Sequence, residues 1–215
     1  MSAARTLKVV AVNGSPRADG NTAMLVEATL EPLRAAGIEC EQIQLAGKTV
    51  GGCTACAVCR KVADRRCHGR DDFGNEVIEA LDSADGILLA SPVYFADITP
   101  ELKAIIDRAG YVARGNGNMF ARKPGAGITV HRRAGAIHAL DSINHFFLIG
   151  EMFVVGSSYW SFGVGGAKGD VASDDEGLRT MHALGENMAW LLERITEPGV
   201  AGGGVTGIRG TGSEE

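Results

Sequence analysis

Short apolar segments that favour β-strands alternate with amphipathic segments that favour helices along most of this chain. The predicted strands are Leu7–Val12, Ile38–Leu45, Asp85–Ala90, Gly125–Val130 and Met152–Gly156. The predicted helices are Thr22–Ala36, Phe73–Ala84, Pro100–Val112, Ala136–Ile149 and Asp174–Ile195. Strands separated by helices pair in parallel, and the helices then cover both faces of one sheet. The alternation therefore predicts an α/β three-layer sandwich with five parallel strands.

Length and charge limit the classes of protein to consider. The chain has 215 residues, 45% of them hydrophobic, which suits one domain with a substantial core. We expect that domain over residues 1–196, with a cysteine loop at 51–68, and a flexible Gly-rich tail at 197–215. A net charge of −5 without a basic block argues against nucleic acid as a partner. Since neither a long apolar run nor an apolar signal-peptide core occurs, we expect a cytoplasmic protein that does not contact membranes.

A polar loop follows the first predicted strand and leads into the first predicted helix. It runs from Gly14 to Thr22 and supplies side-chain donors at Ser15, Asn21 and Thr22. The first N–H groups of a helix have no partner within the helix, so such a loop can bind an anion. The glycines do not match the dinucleotide pattern G-x-G-x-x-G, and Asn21 stands where a nucleoside triphosphate loop has its lysine. The loop therefore favours a single terminal phosphate, and a polar turn without a ligand is the alternative.

Two further loops are expected at the same edge of the sheet. A doubly wound sheet with the strand order 2-1-3-4-5 binds its ligand at the carboxyl ends of strands 1 and 3. After strand 3, the segment Ser91–Asp97 offers a stiff proline and the flat aromatic pair Tyr94 and Phe95. After strand 4, the segment His131–Gly135 offers two cations. We therefore expect both segments to line one pocket with the loop Gly14–Thr22.

Three segments together carry a family resemblance: Gly14–Thr22, Ser91–Phe95 and Leu102–Arg108. They resemble the NADPH-dependent FMN reductase and iron–sulfur flavoprotein group of the flavodoxin-like superfamily, over about residues 7–195. The resemblance implies a flavodoxin-like fold, FMN as the cofactor, and a homodimer or homotetramer. It also implies which residues hold the FMN phosphate and which line the isoalloxazine ring. The first group is Ser15, Arg17, Asn21 and Thr22, and the second group is Pro92, Val93, Tyr94 and Phe95.

Two pairs of residues have roles that the sequence leaves open. Reduced flavin tends to carry negative charge near N1 and O2, which a nearby cation stabilises. Arg132 or Arg133 could supply that cation, next to Gly135 in the same cofactor-binding segment, and solvated loop arginines are the alternative. Asp107 and Arg108 lie in the helix motif, and we interpret them as a structural ion pair or a subunit contact rather than as catalytic residues.

Four cysteines lie close together in a segment that is expected to be an irregular loop ending near Asp72. Two residues separate Cys53 from Cys56 and Cys56 from Cys59, and seven separate Cys59 from Cys67. Zinc ribbons instead place a long span between two C-x2-C pairs. The spacing resembles the run that holds a [4Fe–4S] cluster. A redox-active or vestigial thiol loop and a zinc site are the alternatives.

The combined features predict an FMN-dependent oxidoreductase. Such an enzyme would take hydride from NAD(P)H and pass electrons to a free flavin, a quinone, a metal ion or a protein acceptor. Because FMN performs this chemistry, no acid–base pair of the protein is required. One alternative is an iron–sulfur electron carrier with a [4Fe–4S] cluster on the cysteine loop. Another is a non-catalytic flavin-binding module that senses redox state.

Overall fold

The computed structural model describes residues 5–196, and the predicted tail at 197–215 lies outside them. The described chain contains a parallel sheet in the order β2-β1-β3-β4-β5, with a further strand, β6, that also pairs with β4. This order and the helical layers confirm the predicted flavodoxin-like sandwich. The strands are β1 Lys8–Asn13, β2 Glu39–Gln44, β3 Gly86–Pro92, β4 Pro124–His131, β5 Phe153–Val154 and β6 Phe162–Val164. The helices are α1 Asn21–Ala35, α2 Val58–Val62, α3 Gly74–Ser83, α4 Pro100–Gly115, α5 Ala136–Ile149 and α6 Asp175–Thr196, with a 3₁₀ turn at Asp170–Ser173.

The fifth position of the sheet differs from the single strand expected over Met152–Gly156. Strand β5 has only two residues and pairs with the beginning of β4, whereas β6 pairs with its end. The chain leaves the sheet after β5 and returns at Phe162. Gly163 permits this return, because an added Cβ would lie 2.6 Å from Leu25 Cδ1 on α1. The split brings the residues that follow β6 to the carboxyl edge of the sheet.

The side chains of the central strands alternate between two buried layers. Val10 and Val12 pack on one face of β1 against α3, α4 and α5, and Val9 and Ala11 pack on the other face against α1 and α6. All four residues are fully buried, as expected for a parallel strand that is covered on both sides. Each fully buried aliphatic side chain of this kind contributes about 1.5–3 kcal/mol relative to exposure.

A half-buried lysine contacts the carboxyl end of α3. Lys123, just before β4, donates from Nζ to the carbonyl oxygens of Leu81 at 3.0 Å and Asp82 at 2.7 Å. The last carbonyls of a helix carry partial negative charge, so an ammonium group is favourable there. Burial nevertheless lowers the pKa of Lys123 to about 8.

Within residues 5–196, no helix is long and apolar enough to cross a membrane.

Candidate functional site

The turn after β1 is fixed by contacts with β3 and α4. The Gly14 N–H donates to the Ala90 carbonyl at 2.8 Å, and the Thr99 hydroxyl donates to the Gly14 carbonyl at 2.9 Å. A Cβ at position 14 would lie 2.8 Å from both Leu102 Cβ and Thr99 Oγ1, which is closer than Cβ atoms approach in proteins. Glycine is therefore required for this close approach, and the turn sits rigidly over the ends of two strands.

The loop beyond Gly14 presents donors around the beginning of α1. The Ser15 N–H donates to Asn13 Oδ1 at 2.9 Å, and the Arg17 N–H donates to Ser15 Oγ at 3.1 Å. Helix α1 begins at Asn21 without a side-chain cap, so its first N–H groups face the loop. Asn13 Nδ2 is buried and has no hydrogen-bond partner among the described residues. Unsatisfied donors at a helix N-terminus fit a phosphate.

The side chain of Asn21 is engaged elsewhere than the sequence predicts. Its Nδ2 donates to the Ala167 carbonyl at 2.8 Å, and its Oδ1 accepts from the Gly169 N–H at 2.8 Å. The amide therefore fastens the loop that follows β6 to the beginning of α1. Gly165 permits this contact, because an added Cβ would lie 2.7 Å from Asn21 Nδ2. The Asn21 side chain is thereby fixed by two bonds, and one Nδ2 hydrogen remains for an anion together with the backbone N–H groups of Asn21 and Thr22.

One cavity joins the segments that the sequence predicts to converge. Its volume is about 180 Å³, and it lies between the loop after β1, the end of β3 and the end of β4. Pro16 and Gly20 of the loop after β1 border it together with eight of the predicted cofactor residues: Ser15, Arg17, Asn21, Thr22, Pro92, Val93, Tyr94 and Arg132. Val130, Gly165 and Gly166 complete the wall. The two glycines were not predicted, because nothing in the sequence indicates that β6 returns to this edge.

Three predicted residues lie outside this cavity in the single chain. Phe95 is fully exposed and, with Ala96, has a positive φ in a tight reversal that Tyr94 and Asp97 close. The Tyr94 N–H donates to the Asp97 carbonyl at 2.7 Å, and the reverse bond is 3.0 Å. The exposed Phe95 ring therefore stands at the tip of a stiff turn beside the cavity.

Arg133 and Gly135 are the other two residues that do not border the cavity. Both arginines are exposed, but Arg132 packs against Gly166, where an added Cβ would be 3.1 Å from Arg132 Cγ. Gly135 has φ +92°, and a Cβ there would lie 2.9 Å from Val93 Cγ1. Gly135 thus allows the beginning of α5 to pack against the loop after β3. Of the two arginines, Arg132 is the one placed to act on a ligand.

The four cysteines of the predicted cluster line one small pocket with Arg108 and Tyr111 of α4. The segment is more ordered than the expected irregular loop, because α2 forms within it and places Cys59 in the buried layer. Asn75 fixes the backbone at Cys67, the last of the four cysteines. Its Oδ1 accepts from the Cys67 N–H at 2.9 Å, and its Nδ2 donates to the Cys67 carbonyl at 3.0 Å. All four thiols are free of disulfides.

The thiols of this pocket differ in exposure and in pKa. Burial, followed by the nearby thiol of Cys67, raises the pKa of Cys59. The Val58 N–H and then the Thr54 hydroxyl lower the pKa of Cys56, which is exposed. Because the thiolate is the form that binds metals and reacts with electrophiles, Cys56 is the thiol most ready for either.

A buried ion pair lies directly behind the cysteine pocket. The Arg108 side chain is fully buried and pairs with Asp72, whose carboxylate also accepts from the N–H groups of Gly51 at 2.8 Å and Gly74 at 2.9 Å. The interpretation of Arg108 as a structural ion-pair residue fits this contact, but its partner is Asp72. Asp107 instead pairs with Lys103 on the surface of α4.

Four thiols make up the set of candidate metal ligands in the cysteine pocket. Among the described residues, no three His, Cys, Asp or Glu side chains are close enough to hold one metal ion. The pocket interior is only about 10 Å³, so admitting a polynuclear cluster requires the exposed Cys53 and Cys56 to move outward. Four thiols with a buried cation behind them fit an anionic iron–sulfur centre in chemistry and charge.

The sheet order and the cavity at the carboxyl ends of β1 and β3 define a flavodoxin-like α/β protein. An archaeal flavodoxin superposes with a TM-score of 0.57 at 14% identity, covering 87% of this chain and 99% of that chain. A WrbA-like flavodoxin of Agrobacterium tumefaciens gives a TM-score of 0.60 at 15% identity, with coverages of 88% and 99%. At sequence identities this low, the structural similarity shows that these proteins share the fold with this chain.

Residues 7–167 match the model of the family described as NADPH-dependent FMN reductase, and this chain belongs to that family. An iron-sulfur flavoprotein of Methanocaldococcus jannaschii is 37% identical over 88% of this chain and 99% of its own length. An iron-sulfur flavoprotein of Methanosarcina thermophila is 31% identical over 88% of this chain and 97% of its own length. The chain is thus a flavin oxidoreductase or flavin electron carrier by family.

Proposed function

We propose that this chain is an FMN-dependent oxidoreductase that takes hydride from NAD(P)H and passes electrons to a small-molecule or protein acceptor. The observation that carries the proposal is the single cavity in which the loop after β1 meets Pro92, Val93 and Tyr94. FMN, when bound, supplies the capacity to accept hydride and to release electrons singly or in pairs. Family membership supports FMN as the cofactor.

Different residues of the cavity would bind different parts of FMN. The Ser15 hydroxyl, the Arg17 side chain and the first N–H groups of α1 would donate to the phosphate. Tyr94 and the stiff Pro92–Val93 segment would exclude water from one side of the ring. Arg132 would place positive charge where the reduced ring becomes negative. An adjoining open depression of about 550 Å³, also bordered by Arg132, leaves room for the nicotinamide donor.

A second proposal concerns the cysteine segment, which would hold a [4Fe–4S] cluster through Cys53, Cys56, Cys59 and Cys67. It is favoured by the gathering of these four thiols around one pocket and by the names of the related flavoproteins. With a cluster in place, the chain would transfer electrons one at a time between the flavin and a carrier. This version coincides with the alternative of an iron–sulfur flavoprotein electron carrier.

We further propose that the chain acts as a homodimer or homotetramer. Phe95 is fully exposed on a stiff turn beside the cavity, where a neighbouring subunit would cover it. Light scattering on the purified protein measures the mass of the particle. A monomer at micromolar concentration would contradict this proposal without affecting the FMN assignment.

Absorbance and turnover of the protein purified under nitrogen test the main proposal. We expect bound FMN, and bleaching of its absorbance when NADH or NADPH is added. Replacing Ser15 by Ala should weaken FMN binding about tenfold or more, since a hydrogen bond to a charged group contributes about 1.5–3 kcal/mol. Ser83→Ala, at an exposed position on α3, is the matched control. Protein that takes up no FMN would refute the assignment, and FMN uptake without NAD(P)H oxidation would favour the redox-sensing module.

A further inference from the structure

Arg108 is an unusual cation because it is buried without enough partners. The side chain is wholly inaccessible to solvent, and Nη1 pairs with Asp72 while also donating to the Gly51 carbonyl at 3.3 Å. Nε and Nη2 are buried and have no nitrogen or oxygen acceptor among the described residues, and the Cys67 thiol is the polar group that faces the guanidinium. Leaving such donors unsatisfied costs about 1–3 kcal/mol each, more when the group is charged. A cost of this size indicates that a ligand supplies the missing acceptors.

The surroundings of the guanidinium show where that acceptor would be. Arg108 borders the cysteine pocket and lies beside the Cys67 thiol. An added Cβ at Gly74 would overlap the guanidinium, so the beginning of α3 packs directly against it and leaves no room for a ligand there. The Asp72 carboxylate is already shared with the N–H groups of Gly51 and Gly74. The free donors of Arg108 are therefore available to the cysteine side of the pocket.

We propose that Arg108 is a positioning residue that donates from Nε and Nη2 to the sulfur atoms of a cluster held by the cysteine segment and raises its reduction potential. This inference rests on the proposed [4Fe–4S] site. Reduction adds one electron, and therefore one negative charge, to the cluster and its thiolates. A fixed buried cation and hydrogen bonds to sulfur stabilise that added charge. The guanidinium does not lose its proton in proteins, so the effect persists at all working pH values.

The midpoint potential of the cluster tests this role directly. We would reconstitute the full chain with iron and sulfide under nitrogen and titrate it with redox mediators, recording the reduced cluster by electron paramagnetic resonance. Arg108→Gln should decrease the ratio of reduced to oxidised cluster at a fixed potential at least tenfold, or about 59 mV for one electron. Arg108→Lys, which keeps the charge but loses the planar fork, should shift the potential less.

Controls separate this role from a structural one. Arg114→Gln, on the same helix but outside the cysteine pocket, should leave the cluster potential unchanged. The FMN potential in each sample serves as an internal reference and should move little. Asp72→Asn, which removes the opposing charge and keeps an acceptor, should shift the cluster potential upward. This variant keeps the test available if Arg108→Gln does not fold.

Two outcomes would overturn the inference, and they differ in meaning. A cluster at full iron content whose potential is the same in wild type, Arg108→Gln and Asp72→Asn would refute the role of Arg108 alone. A wild-type chain that retains no iron or sulfide after reconstitution would refute the cluster proposal, and the role of Arg108 with it. Neither outcome bears on FMN binding, which is measured in the same samples.

Discussion

Replacing Gly14 by Ala is the sharpest test of how the fold builds the cavity. The added Cβ would lie 2.8 Å from Leu102 Cβ, which belongs to the first turns of α4 and cannot rotate away. Overpacking of this kind costs about 1–3 kcal/mol. For a domain of this size, each kcal/mol lowers the melting temperature by about 2–4 °C. We therefore expect a decrease of about 2–12 °C in the FMN-free protein.

The same substitution should weaken FMN binding. Relief of the clash moves the turn, which misaligns the donors that follow Gly14. A loss of about 1.4 kcal/mol at these donors raises the dissociation constant tenfold. Gly156→Ala is the matched control, because nothing lies within 4 Å of an added Cβ there and its backbone is unstrained. If both variants melt at the same temperature and bind FMN equally well, the assignment of Gly14 to a rigid phosphate turn is refuted.

Three further variants probe other parts of the structure. Asp72→Ala should lower the free energy of unfolding, measured by urea titration, by about 3–5 kcal/mol, because it leaves the buried charge of Arg108 unpaired. The double variant Asp72→Ala with Arg108→Met should recover part of this lost stability, because no buried charge then remains unpaired. Between pH 8 and pH 10.5 the unfolded chain binds more protons at Lys123 than the folded chain, so this residue makes wild-type stability increase with pH. The stability of Lys123→Met should not show this contribution to the increase with pH. If the urea midpoints of the wild type and of Lys123→Met shift equally between pH 8 and pH 10.5, this prediction is contradicted. Asn21→Ala should speed proteolysis of the loop at 165–169 and weaken FMN binding, whereas Asn187→Ala, which removes a bond to another loop, should do neither.

The sequence predicted the strands and helices well where apolar periodicity was strong. Helix α5 was predicted with its observed bounds, and β1, α1 and α3 were predicted to within one or two residues. Strand β5 was predicted at Met152–Gly156 but is shorter, at Phe153–Val154, and strand β6 was not predicted, because a three-residue strand carries no period. Their pairing with β4 is set by tertiary contacts, such as the packing of Leu25 against Gly163. Helix α2 was missed for a similar reason, since it spans only five residues.

The site was predictable in its outline but not in its detailed contacts. The loop after β1 and the end of β3 meet because parallel strands place their carboxyl ends at one edge. The engagement of Asn21 with Ala167 and Gly169 could not be foreseen, because those residues lie far away along the chain. The pairing of Arg108 with Asp72 depends on how α3 and α4 pack, which the helix motif alone does not reveal.

Helix α4 connects the two candidate sites physically. Near its beginning, Thr99 and Leu102 fix the phosphate turn, and further along, Arg108 and Tyr111 border the cysteine pocket. Arg108 follows Leu102 by six positions along the α-helix, which is a rise of about 9 Å. The helix is buried along this face and ties both sites to the same core. A single helix that contacts both sites fixes the distance between the turn after β1 and the cysteine pocket, so the separation of the FMN and cluster sites proposed above would be a property of the fold itself.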